Sequence, residues 1–154
     1  MKKIISSFHD LTPDQLYDLL KLRQDVFVIE QNCIYQDFDG HDKKATHFLI
    51  YDKDTLAAYS RIFGPDIKYE NECSIGRIIV SPPYRGGKFG KILIEESIDY
   101  CNQYHSETVI RIEAQATLEE YYSKLGFKSD SEIYQVDEID HLQMIYTLSV
   151  KLLN

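Results

Sequence analysis

The sequence predicts an α/β (α+β) fold, in which helices pack on a mixed sheet. The chain has 154 residues, 44% of them apolar and 27% charged, which suits one hydrophobic core. Short runs rich in β-branched residues alternate with helical patterns in the order β-α-β-β-β-α-β-α-β-β. Nothing repeats and no Pro-, Gly- or Ser-rich linker divides the chain. We therefore expect a single domain over residues 1–154.

The N-terminal part is predicted to be a strand followed by a capped helix. Lys3–Ser6 has the composition of a short strand. Thr12 then stands at an N-cap, with Pro13 at the first helical position and Gln15 at the third, as in a capping box. Apolar residues at helical spacing extend this predicted helix to Glu30.

The middle of the chain is predicted to contain three strands. The polar segment Gln31–Lys44 includes an Asp-Gly pair and is predicted to be a loop. His47–Tyr51 and Thr55–Phe63 read as two strands joined by a turn at Asp52–Asp54. A polar connection then leads to a third predicted strand, Ser74–Val80.

The C-terminal part alternates between helix and strand. A helix is predicted over Lys88–Tyr104 and a strand over Val109–Ala114. A short helix follows, with Thr117 as its predicted cap and Gly126 at its C-terminal end. The last predicted elements are two strands, Ile133–Val136 and His141–Leu148.

Charge and cysteine content narrow the function classes. A net charge of −8 argues against nucleic acid or an anionic membrane as the main partner, and leaves room for a cationic substrate such as an amine. The same charge also suits a soluble protein without any such substrate. The three cysteines form no CxxC pair and the five histidines have no metal-ligand spacing, so no metal is expected. No apolar run suits a signal peptide or membrane span, so we expect a cytoplasmic protein.

The segment Ile78–Ile94 carries the strongest functional signal. A β-branched strand stops at Pro82-Pro83, a basic glycine-rich loop follows, and a helix then begins. Backbone N–H groups in such a loop, together with a helix N-terminus, bind phosphate. The loop lacks the GxGxxG pattern, and it lacks the hydroxyl residue that a P-loop places after Gly90-Lys91.

This loop resembles the pyrophosphate loop of the GNAT N-acetyltransferase superfamily. The family pattern is [Arg/Gln]-x-x-Gly-x-[Gly/Ala], which Arg85 and Gly90 match, whereas Lys88 stands where the family usually has glycine. The segment Tyr122–Phe127 resembles the family's YxxxGF motif. Gln115 stands where many members have asparagine.

A further resemblance is to the ElaA-like branch of that superfamily. The segments Arg23–Cys33 and Tyr35–Gly40, with the sequences RQDVFVIEQNC and YQDFDG, are similar to its N-terminal signature. Ile75–Arg77 and Glu113–Ala116 are similar to the branch as well. A lysine at position 88 is also similar to this branch. The difference between Lys88 and the glycine that the superfamily usually has there is therefore a feature of the branch.

The resemblance implies the GNAT acyl-CoA N-acyltransferase fold. That fold has a mixed, mostly antiparallel sheet of six to seven strands and about four helices. Its fourth and fifth strands, here Ser74–Val80 and Val109–Ala114, splay apart and receive the thioester. The implied reaction moves an acetyl group from acetyl-CoA to a primary amine by direct attack in a ternary complex.

The resemblance also implies site residues. The Val80 N–H would bind the oxyanion, and Tyr122 would protonate the departing thiolate. Alternation along the strand places Glu113 on one side with Arg111 and Gln115, which makes Glu113 the candidate base for the amine. Glu30 and His47 are its rivals. Tyr122 as a core aromatic or a partner of the CoA sulfur is the alternative, and water is the alternative base. The residues expected to bind acetyl-CoA are Ile78, Ile79, Val80, Arg85, Gly86, Gly87, Lys88, Phe89, Gly90, Gln115 and Tyr122.

The predicted acceptor side rests on fewer signals. Its candidates are Glu30, Gln31, Asp39, His47 and Arg77, for each of which a salt bridge or surface role is the alternative. The acidic loop around Gly40 either borders the acceptor and attracts a cationic amine, or is a solvated turn. Its spacing does not fit the calcium ligands of an EF-hand.

Two other functions stay open at the level of the sequence. One is an acyl-CoA-binding sensor without turnover, and the other is a transferase that uses a longer acyl-CoA. The acceptor, a small-molecule or peptide amine, is not identified by residue spacing. Neither is the oligomeric state, a homodimer included.

Overall fold

The computed structural model describes residues 1–106 and 108–148. These residues form eight strands and three α-helices, with short 3-10 turns between several of them. The strands are β1 (Lys2–Ser7), β2 (Thr46–Asp52), β3 (Thr55–Phe63), β4 (Glu72–Val80), β5 (Val109–Gln115), β6 (Lys128–Ser129), β7 (Tyr134–Val136) and β8 (Ile139–Thr147). The helices are α1 (Pro13–Arg23), α2 (Phe89–Tyr104) and α3 (Glu119–Lys124).

The predicted fold class is confirmed, with one strand more than expected. Most strand pairs are antiparallel, and β4 pairs with β5 in parallel. The predicted six to seven strands become eight because β6 has only two residues, too few for an alternating pattern to show. Three α-helices stand where about four were expected.

The chain separates into two compact units. The first consists of Met1–Ile62 and Arg77–Ser97, and the second of Phe63–Gly76 and the described part of Ile98–Asn154. Each unit is discontinuous in sequence, and both β4 and α2 contribute residues to each. The single domain over residues 1–154 stays a prediction.

The first unit contains an antiparallel run of strands. β1 pairs with β2 from Lys2–Tyr51 to Ser7–Thr46, and β2 pairs with β3 with a bulge at Ile50/Tyr51. The Ser81 N–H donates to the Ala57 carbonyl over 2.8 Å, which fixes the end of β4 beside β3. Burial of apolar area stabilises this unit. Its buried core cluster consists of Leu19, Leu22, Val26, Leu49, Tyr51, Leu56, Tyr59 and Ile79.

The predicted helix to Glu30 is only partly confirmed. The capping box is present, since the Gln15 N–H donates to Thr12 Oγ1 over 3.1 Å and the Thr12 N–H donates to Gln15 Oε1 over 3.0 Å. From Gln24 to Glu30, however, the helix widens to a π-helix. π-turns reorient the side chains that follow them and often occur at functional sites. Periodicity did not show this change, because apolar spacing is similar in the two helix types.

The second unit is built around β5 and β8. They pair antiparallel from Val109–Thr147 to Gln115–His141, and β7 pairs with the start of β8. The parallel pairing of β4 with β5 spans three residue pairs, the last of them Ser74–Arg111, and β5 continues four residues beyond it. Such an early end is what the expected splay requires.

The prediction for α3 is right at its end and wrong at its start. Gly126 follows the helix with a φ of 103°, a conformation that glycine adopts without strain. The N-cap is Leu118, whose side chain makes no cap bond, and a 3-10 turn over Ala116–Leu118 precedes it. The predicted cap at Thr117 is therefore wrong, because that residue lies inside the 3-10 turn.

Candidate active site

The predicted phosphate loop of the first unit is exposed at the start of α2. Gly86 has a φ of 77°, a left-handed conformation that suits glycine, and a Cβ there would meet no heavy atom within 4 Å. Among the described residues, the backbone N–H groups of Gly86, Gly87 and Lys88 have no hydrogen-bond partner. The Lys88 carbonyl accepts from the Ile92 N–H over 3.1 Å, so α2 begins directly behind them. Free N–H groups at a helix N-terminus suit an anion.

Arg85 ties this loop to two other segments of the first unit. Its Nε donates to the Val80 carbonyl over 3.1 Å. Its Nη1 and Nη2 donate to the two carboxylate oxygens of Glu30 over 2.5 and 2.8 Å. This hydrogen bond raises the pKa of Arg85 and lowers that of Glu30. Arg85, which is predicted to bind acetyl-CoA, is thus hydrogen-bonded to Glu30, which is a predicted acceptor residue.

The backbone of β4 departs from the extended conformation at Arg77. This residue has a φ of 48°, a left-handed conformation that residues other than glycine seldom adopt within a strand. Such strain bends a strand and is found disproportionately at functional sites. The three residues after it are among those predicted to bind acetyl-CoA: Ile79 is buried, whereas Ile78 and Val80 are half-buried.

The acidic loop around Gly40 is held by arginines. Arg23, which is fully buried, donates from Nε to Asp37 over 2.8 Å and from Nη1 to Asp42 over 2.8 Å. Asp37 itself is 6% exposed. A solvated turn is therefore the wrong description of this loop, since buried carboxylates require such pairing.

Two further arginines complete the network. Arg61, on β3, pairs with Asp39 over 2.8 Å and with Asp42 over 3.0 Å. Arg77 donates to Asp37 over 2.7 Å. Burial alone would raise the pKa of Asp42, but the hydrogen bonds and charges of the arginines lower it. Asp39 behaves in the same way, with its pKa lowered by Arg61 against the effect of burial.

His47 is buried in the first unit with both ring nitrogens occupied. Nε2 donates to the Asp42 carbonyl over 2.8 Å, so Nδ1 accepts from the Tyr59 hydroxyl over 2.7 Å. Burial lowers the pKa of His47 and favours its neutral form. Gln31, another predicted acceptor residue, directly follows the π-helix and is half-buried.

In the second unit, β5 places three predicted polar residues on one face. Ile110, Ile112 and Ala114 are buried, whereas Arg111, Glu113 and Gln115 alternate with them, as the period of two predicted. Arg111 donates four hydrogen bonds: to Glu72 over 2.6 and 3.1 Å, to Asp130 over 2.6 Å and to Gln143 over 2.9 Å.

Glu113, the predicted base, is exposed and hydrogen-bonded to a tyrosine. The Tyr134 hydroxyl, from β7, donates to Glu113 Oε2 over 2.7 Å. Burial and this hydrogen bond raise the pKa of Tyr134, so its hydroxyl keeps its proton. Sequence reasoning did not identify Tyr134 as a partner, because the contact depends on the register of β7 and β8.

Tyr122, the predicted acid, is buried in the second unit. Its ring packs edge-on against Phe127 at 5.8 Å between centroids, and Phe127 in turn packs against Tyr146. Burial raises the pKa of Tyr122, which keeps the hydroxyl protonated at neutral pH.

Tyr122 and Glu113 lie on opposite faces of β5. Tyr146 is the direct cross-strand partner of Ile110, so the Tyr122–Phe127–Tyr146 cluster belongs to the face of the buried residues. Glu113 lies on the other face, as the alternation along β5 requires. The described contacts therefore do not bring the predicted acid and the predicted base onto one face of β5.

Two absences concern the described residues alone. Within residues 1–106 and 108–148, no group of three or more His, Cys, Asp or Glu side chains is placed to hold a metal ion. Over the same ranges, no helix has the length and apolar character needed to cross a membrane.

Comparison with known proteins agrees with this arrangement. The model of the acetyltransferase (GNAT) domain matches residues 9–148. Protein ElaA of Escherichia coli is 41% identical over 137 residues, which are 88% of this chain and 89% of that protein.

Two solved structures are similar over almost the whole chain. An acyl-CoA N-acyltransferase from Pseudomonas aeruginosa superposes with a TM-score of 0.89 at 34% identity, covering 96% of this chain and 100% of that one. Escherichia coli ElaA superposes with a TM-score of 0.89 at 36% identity, covering 95% and 99% of the two chains.

Proposed function

Because this chain belongs to the acetyltransferase (GNAT) family and to its ElaA-like branch, we propose that it transfers an acetyl group from acetyl-CoA to a primary amine. The amine attacks the thioester directly in a ternary complex. The observation that carries this proposal is the loop of unpaired N–H groups in front of α2. Among the described residues Cys33, Cys73 and Cys101 form no disulfide, which suits a reducing compartment, and we place the reaction in the cytoplasm.

The loop would hold the pyrophosphate of acetyl-CoA. The N–H groups of residues 86–90 supply hydrogen bonds, and the N-terminus of α2 supplies a favourable dipole. Lys88, which is exposed, and Arg85 add positive charge. Arg85 does so while holding the Val80 carbonyl and Glu30, so it also fixes the shape of the loop.

The amide-rich pantetheine arm would pair with the backbone of β4 over Ile78–Val80, as an added strand does. The Val80 N–H would donate to the oxyanion of the tetrahedral intermediate. Gln115, on β5, is a further polar group that we assign to the cofactor.

Acid–base chemistry completes the reaction. The departing thiolate takes a proton, and Tyr122 is the donor that we assign to it, since its hydroxyl is protonated at neutral pH. Glu113 is the carboxylate that we assign to the amine, either as its base or as the anchor of its ammonium group. Its exposed position on β5 supports this assignment.

The acceptor residues that we assign to the first unit would act mainly through the shape of the surface they form. Asp39 and Arg77 are both ion-paired, so they present a rigid and largely neutralised surface rather than a free charge. Glu30 and Gln31, at the end of the π-helix, are the other residues that we assign to this segment. The acceptor class is a small-molecule or peptide amine.

Binding of the donor is tested by calorimetry with coenzyme A. We expect Gly86→Asp to weaken binding at least about 10-fold, because a carboxylate beside the pyrophosphate adds repulsion of roughly 1–4 kcal/mol at 4 Å. Gly86→Asn has the same size and tolerates the left-handed φ of 77°, and is the matched control. Equal affinities of the two variants for coenzyme A would show that its pyrophosphate does not bind at this loop.

Turnover is tested by CoA release with a panel of free amino acids, polyamines, peptide N-termini and lysine side chains. We expect at least one amine to be acetylated, and Tyr122→Phe to lower kcat while acetyl-CoA binding is kept. Acetyl-CoA binding without turnover on any amine would indicate a sensor instead. Faster transfer from long-chain acyl-CoA than from acetyl-CoA would indicate that the enzyme uses a longer acyl-CoA as its donor.

A further inference from the structure

One face of the second unit carries two ionisable side chains, His141 and Tyr134, that the chemistry above leaves without a role. The pairing of β5, β8 and β7 sets Gln115, His141 and Tyr134 side by side in one row. The adjacent row pairs Glu113 with Gln143. Directly opposed residues of paired strands point to the same face of a sheet. These five side chains therefore line one surface, which we call the β5–β8–β7 face.

Glu113 brings an uncompensated negative charge to this face. It is exposed, and its hydrogen bond comes from the neutral hydroxyl of Tyr134 over 2.7 Å. The neighbouring cation, Arg111, is already paired with Glu72 and Asp130. Among the residues that the structure describes, no ion pair includes Glu113. The carboxylate is thus held in place and stays available to a cation.

His141 brings a base whose tautomer is set by the backbone. Its Nδ1 lies 2.7 Å from the Ile139 carbonyl, which can only accept a hydrogen bond, so Nδ1 carries the proton. The lone pair of the neutral ring is then on Nε2. Over the described ranges, Nε2 has no hydrogen-bond partner. The ring stacks beside that of Tyr134, with 6.5 Å between centroids and 28° between planes.

The spacing of these two groups suits one ammonium ion. His141 occupies the position diagonal to Glu113, two residues from its direct partner Gln143. Diagonal side chains on paired strands are about 7–8 Å apart at their origins. A nitrogen between the two groups can therefore hydrogen-bond both the carboxylate and Nε2.

Few other titratable groups face His141. β5 contributes Glu113 and β7 contributes Tyr134, while Asp140 precedes it on β8. The 3-10 turn over Ala116–Leu118, which packs against β8, contains none. β6 places Lys128 opposite Ile145, four residues further along β8.

We propose that the β5–β8–β7 face binds the amine acceptor, with Glu113 holding its ammonium group and His141 accepting its proton. This rests on the acetyltransferase function proposed above, and it makes Glu113 the anchor rather than the base. His141 can accept the proton directly on the lone pair of Nε2, whereas the Glu113 carboxylate already accepts from the Tyr134 hydroxyl.

The proton and electron balance is complete without a further reactant. One N–H bond of the ammonium breaks, and the proton passes to Nε2 of His141. The freed lone pair forms the N–C bond to the thioester carbonyl carbon, and the C–S bond breaks with its electrons on the thiolate. A second N–H proton leaves the nitrogen as the amide forms, and it replaces the proton that Tyr122 gives to the thiolate. The imidazolium later returns its own proton to water.

The test compares His141→Asn with the wild type, using n-butylamine and spermidine as acceptors. Asparagine can still donate to the Ile139 carbonyl, so the variant removes the base with little loss of structure. We expect kcat/KM to fall about 10²- to 10⁴-fold. We also expect a change in the pH profile of kcat/KM: the plateau of the wild type should give way to a rise that continues toward the pKa of the amine.

Two variants separate the roles of the residues. Glu113→Gln should raise the KM for the amine about 10-fold or more. The plateau of the pH profile should be kept, since the base, His141, is still present. His9→Asn, an exposed histidine of the first unit, is the matched control and should change neither quantity. Far-UV circular dichroism checks that each variant is folded.

A binding measurement keeps this inference separate from the proposed function. Addition of n-butylammonium should shift the imidazole Cε1–H resonance of His141 in the wild type, and not in Glu113→Gln. If there is no shift, or if His141→Asn keeps the wild-type rate and plateau, the acceptor is not bound here. Failure of acetyl transfer to every amine, with that shift present, would instead overturn the proposed function alone.

Discussion

At the scale of single residues, Arg23 decides how the acidic loop is built. Its guanidinium is fully buried and is bonded to Asp37 and Asp42. Removal of one partner from a buried ion pair leaves a charge without compensation, and such a charge is far more expensive in the interior than at the surface. The loop therefore depends on this side chain for its conformation.

We predict that Arg23→Met lowers the free energy of unfolding by about 3–5 kcal/mol. Methionine keeps most of the packing of the stem and removes the charge. Lys21→Met on the same helix is the matched control, because the Lys21–Asp25 pair is solvent-exposed and such pairs contribute little to stability. Urea unfolding followed by circular dichroism measures both changes. Similar values for the two variants would contradict a structural role of the buried network.

At the scale of elements, the ends of helices carry much of the site. The N-terminus of α2 follows the phosphate loop, and the π-helix ends at Glu30, which binds Arg85. α3 carries Tyr122 and ends at Gly126, whose φ is 103°. The Glu119 carboxylate accepts from the Ser129 hydroxyl over 2.6 Å, which ties the start of α3 to β6.

The C-terminal end of α3 gives a second prediction. A Cβ on Gly126 would lie 2.7 Å from Cε2 of Tyr146, in addition to adopting a positive φ. We expect Gly126→Ala to destabilise the protein by roughly 2–4 kcal/mol, from backbone strain together with overpacking. Gly40→Ala isolates the strain, because φ is 82° there and no heavy atom lies within 4 Å of the added Cβ.

Thermal and urea unfolding of both variants provide the measurement. Gly40→Ala should cost about 1–2 kcal/mol, which is the backbone term alone. The difference between the two variants then reports the contact with Tyr146. If Gly40→Ala were the more damaging change, the close packing at the end of α3 would not be rigid.

At the scale of the whole molecule, the net charge of −8 does not show how many acidic side chains are paired with arginines. Several of the acidic residues are neutralised by arginines, as in the pairs of Asp39 and Asp42 with Arg61. An anionic cofactor must therefore be held by local groups such as the loop N–H groups and Lys88, rather than attracted by the overall charge. A cationic amine is favoured by that charge at low ionic strength.

The stability of the whole molecule should fall as the pH is lowered. The pKa values of Asp39, Asp42 and His47 are all lowered in the folded state. The unfolded state then binds more protons in the range between its own pKa and the folded one, so acid favours unfolding. We expect a first loss below about pH 6.5 from His47 and a second below about pH 4 from the aspartates.

Melting temperatures between pH 8 and pH 3 test this expectation. Asp42→Asn should lower stability at pH 7, because it removes a partner of Arg23 and Arg61. The same variant should show a shallower loss below pH 4, since one of the shifted carboxyls is gone. A melting temperature that does not change between pH 8 and pH 3 would mean that these groups titrate alike in both states.

Much of the fold and part of the site could be predicted from local signals. The capping box at Thr12, the bounds Thr55–Phe63 of β3 and the glycine after α3 are confirmed because each depends on neighbouring residues. The alternation of Arg111, Glu113 and Gln115 along β5 is confirmed for the same reason. The loop before α2 could be recognised because its glycines, its basic residues and the helix start are contiguous.

The partners of these residues could not be predicted in this way. Glu30 and Arg85 are 55 positions apart, and Arg77 and Asp37 are 40 apart. The hydrogen bond between Tyr134 and Glu113 depends on the register of β7 and β8. A shift of one residue in that register would turn Tyr134 to the other face of the sheet. The sequence by itself determined the fold class, the family and the loop in front of α2, since local patterns encode them. Only the tertiary structure decided which charges are neutralised and which, like that of Glu113, stay available, because pairing depends on contacts between distant segments.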